Sequence, residues 1–110
     1  MNEFFTNEEL KLNLKIAEHG LVFLFRRANG GPSDTLEVNQ SWMNVHTLLC
    51  RLRKGRRYCA KDRPLLVWQE DEQLHIKYFW PDDQVVEECV FSSFETTRIL
   101  TMLEKLPNMN

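Results

Sequence analysis

Leu10, Leu12, Leu14 and Ile16 alternate strictly with Lys11, Asn13 and Lys15. That two-residue period puts one set of side chains on each face of an extended chain, so it predicts a half-buried strand over residues 10–16. A helix competes for residues 7–19: Thr6 and Glu9 have capping-box spacing, and Gly20 could close the last turn. At about 100° per residue, however, a helix would turn Leu12 and Ile16 nearly opposite to Leu10, Leu14 and Ala17. Strand is the better reading.

The same logic divides the rest of the chain. Leu21 to Arg27 is an apolar, aromatic run that suits a buried strand, followed by an Asn29–Asp34 loop and a short strand, Thr35–Val38. Ser41 caps a helix in which Trp42, Val45, Leu48, Leu49 and Leu52 recur at helical spacing and which Gly55 ends. Leu65 to Trp68 begins a second series. In its next strand Leu74, Ile76, Tyr78 and Trp80 share one face and His75, Lys77 and Phe79 the other. Gln84 to Phe91 is its third strand. Ser92 and Glu95 form a capping box for a helix carrying Phe94, Ile99, Leu100, Leu103 and Leu106, and Pro107 closes it.

Each half, about 8–55 and 63–107, therefore reads as hairpin, third strand and leucine-rich helix. The Ser41-Trp42 and Ser93-Phe94 helix starts correspond. This is a tandem βββα-βββα pseudo-repeat, either a duplication or the general likeness of hairpin-plus-helix units. The expected fold is α+β: one domain over residues 1–110, with antiparallel sheet and two helices packed on one face. At 110 residues such a domain buries roughly 65% of its unfolded surface, enough for a core without metal or disulfide.

Three cysteines, Cys50, Cys59 and Cys89, form an odd set without CxxC spacing, which predicts reduced thiols, at least two of them buried. With no membrane-length apolar run and an acidic start at Met1 to Phe5, the expectation is a cytoplasmic protein without a membrane partner. His46 and Cys50 share a helix side and Cys59 follows. A zinc site or a Cys/His nucleophile built from them lacks a second paired element, so no metal, cofactor or catalytic residue is assigned. The acidic pairs fall at turns or alternate across a strand, and Asn29-Gly30-Gly31-Pro32 is no phosphate loop. The expectation is a binding protein, not an enzyme.

Charge is the functional signal. Residues 51–63 hold Arg51, Arg53, Lys54, Arg56, Arg57, Lys61 and Arg63 against Asp62 alone, a net +6 in a chain of net −2. Arginine's planar fork suits phosphate, and Tyr58 in their midst is expected to stack on a base. Outward His75, Lys77 and Phe79 would extend that surface. Nucleic acid, most readily single-stranded, is the first expected partner. The alternative is a protein partner, held by an exposed sheet edge or by the acidic surface in an inhibitor, immunity or adaptor role. A homodimer through a sheet edge fits either reading.

The run from Leu74 to Leu106, about a third of the chain, resembles the end of the coactivator-type and Whirly-type single-stranded DNA binders. It has a strand ending Tyr78-Phe79-Trp80-Pro81-Asp82, a third strand and a helix. The resemblance implies sheet-plus-helix units that bind strands across the sheet. Where such domains carry a basic lysine-glycine segment, this chain has Val85-Val86-Glu87-Glu88-Cys89, which is acidic. That departure argues against contact through this segment.

Overall fold

Alternation becomes burial in the computed structural model, which describes residues 3–6 by backbone, and residues 12–26, 35–61, 64–79 and 86–105. Strand β2 (Leu12–Ala17) turns Leu12, Leu14 and Ile16 inward, and β3 (Gly20–Arg26) does the same with Leu21, Phe23 and Phe25. β1 (Glu3–Thr6) and β4 (Thr35–Ser41) flank them in an antiparallel meander of order β1-β2-β3-β4. The expected strand at 10–16 is thus present from Leu12, while Leu10 and Lys11 lie outside the described residues.

The second meander, β5-β6-β7-β8, comprises β5 (Tyr58–Cys59), β6 (Leu65–Glu70), β7 (Gln73–Phe79) and β8 (Val86–Phe91). Its inward side carries Leu65, Val67, Leu74, Ile76, Tyr78, Cys89 and Phe91, while Trp80 and residues 84–85 lie outside the described set. The α+β class is as expected, and the strands divide into two four-stranded sheets. β1 and β5 are the strands not anticipated, so each half is a four-stranded meander followed by a helix.

Helix α1 (Trp42–Arg53) begins where the Ser41 Oγ accepts the Asn44 N–H at 3.3 Å, and it buries Val45, Leu48, Leu49 and Leu52. The Trp42 indole N–H donates to the Glu18 carbonyl at 2.9 Å, tying this helix end to the β2–β3 turn. Helix α2 (Ser93–Lys105) is capped by Ser92, whose Oγ accepts the Glu95 N–H at 3.2 Å. Ser92 is therefore the counterpart of Ser41, one residue earlier than the sequence comparison placed it. Of the helix's expected apolar set Ile99 and Leu103 are buried, together with Thr96, and Leu100 packs against the core, whereas Phe94 is 70% exposed and Leu106 lies outside the described residues. The Thr96 hydroxyl accepts the Leu74 N–H at 2.8 Å and donates to the Phe91 carbonyl at 3.3 Å, fastening α2 to β7 and β8.

One core serves both sheets. Phe25 of β3 stacks on Tyr78 of β7 with ring centroids 4.8 Å apart, and α1 packs on β3 and β4 as well as on β5 and β6. Each large side chain enclosed here contributes about 1.5–3 kcal/mol by leaving water. The β3–β4 approach needs a glycine at its start: a Cβ on Gly20 would stand 2.0 Å from the Gln40 carbonyl oxygen. No helix among the described residues is long and apolar enough to cross a membrane.

Candidate nucleic-acid interface

α1 ends in a turn that gathers the basic residues. The Arg56 N–H donates to the Arg51 carbonyl at 2.8 Å and the Gly55 N–H to the Leu52 carbonyl at 3.0 Å, with Gly55 at φ +69°. This is a Schellman closure, in which glycine takes the left-handed position without a Cβ clash. The chain reverses sharply, so Arg51, Arg53, Lys54, Arg56 and Arg57 radiate from one helix end, all exposed. Lys61 is exposed as well, while Arg63 lies outside the described residues.

Among the described residues internal neutralisation is slight. Arg53 Nη2 stands 3.4 Å from Glu104 Oε1, but both side chains are about half exposed, where such a pair is worth only about 0–1 kcal/mol. The Arg51 Nε–H donates to the Arg57 carbonyl, and Arg51 is exposed. Lys54, Arg56 and Lys61 make no ion pair with another described residue.

Tyr58 corrects the expectation made for it. Its ring is only 5% exposed and belongs to the core, and its hydroxyl donates to Gln40 Oε1. Burial raises its pKa above the ordinary 10.0. A ring so placed offers no face to a base.

A half-buried aromatic pair lies on the outer side of the second sheet. Leu65 and Val67 point inward, so Leu66 and Trp68 point outward, and the β6–β7 register sets Trp68 opposite His75 and Leu66 opposite Lys77. A two-residue turn fixes that register, with Asp71 and Glu72 at φ 53° and 65°, as a type I′ hairpin requires. Trp68 and His75 stack at 5.0 Å and 16°. From the β5 side the Arg57 guanidinium lies 5.4 Å from the Trp68 ring centroid, and Lys77 Nζ lies 5.9 Å from it. Glu88 sits beside them, 3.7 Å from both His75 Nδ1 and Lys77 Nζ. Arg57 thus joins the basic turn to an outward Trp–His platform.

Of the outward residues expected on β7, His75 and Lys77 are half-buried in this cluster and Phe79 is 44% exposed. Trp68 is the candidate site residue that the sequence reading missed. Its signal was available in the alternation of Leu65, Leu66, Val67 and Trp68, which sets it opposite the buried pair.

The cysteines do not converge. Cys50 and Cys59 are exposed and only Cys89 is buried, against the expectation of two buried thiols. Both exposed positions have a reason. Cys50 stands off the buried stripe of α1, and Cys59 follows inward Tyr58 on a strand. Among the described residues no three His, Cys, Asp or Glu side chains gather where they could hold a metal ion. Comparison with known proteins finds no matching family model, no similar curated protein and no similar solved structure.

Proposed function

We propose that this chain is a non-catalytic binding protein for single-stranded nucleic acid, which runs from the α1 terminal turn onto the outer face of the second sheet. The observation that carries the reading is Arg57. It belongs to the basic turn and lies over Trp68, so phosphate-binding and stacking groups are contiguous. Arg53, Lys54 and Arg56 would take phosphates, with Arg51, Lys61 and Arg63 beside them. A base arriving at Trp68 displaces Arg57 from the ring. That costs about 0.5–1 kcal/mol of cation–π attraction and returns about 1–3 kcal/mol of base stacking, with Arg57 released to a phosphate. The exchange favours the base.

Titration of labelled single-stranded DNA and RNA at several salt concentrations tests it. Binding should weaken as salt rises, with a slope set by the phosphates neutralised. Absence of binding at low salt, or binding indifferent to salt, would remove the proposal.

A second reading, a protein-interaction module, draws on Phe79 and Val86. They face each other across β7 and β8, 44% and 42% exposed, and β8 is the last strand of its sheet. Under it, one stoichiometric protein stays bound after nuclease treatment and is released by Val86→Asp.

A further inference from the structure

A cleft of about 730 Å³ opens between β4, α1 and β5, on the seam where the two sheets meet. That volume lies within the range of about 300–1,000 Å³ usual for small-ligand sites. Its floor is buried: Gln40 and Tyr58, each 5% exposed, are joined by the hydrogen bond between hydroxyl and carboxamide. Its walls carry the carboxamides of Asn39 and Asn44, whose side chains make no hydrogen bond with another described residue. Its cations are Arg51 and Lys61, and no described residue lining it is an acid.

We propose that this cleft takes one nucleotide unit, with its phosphate on Arg51 and Lys61 and the edge of its base on Asn39 and Asn44. A carboxamide offers a donor and an acceptor side by side, the pattern that base edges present. The two cations supply the phosphate contact, and both belong to the basic segment. The proposal deepens the single-strand reading and rests on it for the source of the nucleotide, since the unit could equally be free or part of a strand. The cleft would then add base preference to a surface that otherwise grips any sequence.

Cys59 lines the cleft and is exposed, whereas Cys50 is exposed outside it, so the chain carries its own reporter and control. Alkylation of the two thiols is followed by peptide mass spectrometry with a nucleoside monophosphate, inorganic phosphate or a homopolymeric oligonucleotide present. The expected result is at least roughly fivefold slower alkylation of Cys59 with mononucleotide or oligonucleotide, no change at Cys50, and no protection by phosphate alone. Asn39→Ala with Asn44→Ala, both at exposed positions, should abolish the protection and level any preference among homopolymers. Protection by mononucleotide without oligonucleotide binding would uphold the cleft and overturn the single-strand reading. Oligonucleotide binding without protection of Cys59, or protection by phosphate as strong as by nucleotide, would overturn the cleft proposal and spare that reading.

Discussion

The hydroxyl of Tyr58 donates to the side-chain oxygen of Gln40, tying the first strand of one sheet to the last strand of the other. Both residues are 5% exposed, so replacing Tyr58 by Phe leaves the Gln40 oxygen without its donor in a dry place. The expected cost is about 1–3 kcal/mol in urea unfolding. The pKa of Tyr58 is raised by burial, so the folded state holds this proton more tightly than the unfolded state. Its contribution is therefore complete below pH ~10 and is lost as pH rises through the higher folded-state value. The stability gap between wild type and Tyr58→Phe should narrow from pH 9 to pH 11, and a constant gap would contradict the assignment.

Arg56 and Arg57 follow the helix-closing glycine and make no ion pair with another described residue. Changing both to Ala removes two phosphate contacts. Affinity for every single-stranded sequence should fall together, and the slope of log K against log salt should drop by about 1.4 units. A loss confined to some sequences would mean that these arginines read bases.

Trp68 separates stacking from charge. Trp68→Ala should cost about 1–3 kcal/mol of single-strand affinity while leaving the salt slope intact. The chain has three tryptophans, Trp42, Trp68 and Trp80, so any binding-induced quenching of emission should shrink sharply in this variant. Undiminished quenching would place the bound bases elsewhere.

Much of this arrangement was legible in the sequence, and the misses have physical causes. Alternation located β2 and β7, and apolar runs located β3 and β6, because each has six or seven residues, long enough to display a pattern. β1 has four residues and β5 two, and β5 lies inside the basic run, where no alternation can show. That is why Tyr58 was read as outward: the facing of a two-residue strand is decided by what it meets, here Gln40. Phe94 carried a signal that was passed over. It stands five residues before Ile99, which places it about 140° from the buried stripe on a helix. The Arg57–Trp68 contact joins residues from different elements, and no local pattern encodes it.

Asp71 and Glu72 hold left-handed conformations in the hairpin that sets Trp68 opposite His75. Aspartate tolerates this region; glutamate, with no short-range hydrogen bond to offer, does so less well. Glu72→Gly should raise stability by about 0.5–1 kcal/mol in denaturant unfolding without altering the Trp68–His75 register. A loss of stability would indicate that the Glu72 side chain makes a compensating contact.

Glu88 is a carboxylate that opposes the proposed strand path, as is Glu70, which accepts the Trp68 indole N–H at 3.2 Å; Glu88 stands 3.7 Å from both Lys77 and His75 on the outer sheet face. The pair with Lys77 is partly exposed, so breaking it costs the fold only about 0–1 kcal/mol. Glu88→Gln removes a negative charge from the path of a polyanion and releases Lys77 toward it. Single-strand affinity at low salt should rise roughly threefold and the salt slope should steepen, because one more cation is free to neutralise a phosphate. The same substitution at a site remote from the bound strand, beyond a screening length of ~10 Å, would change neither quantity. Unchanged affinity would therefore move the strand off this face and leave the α1 turn as its whole contact.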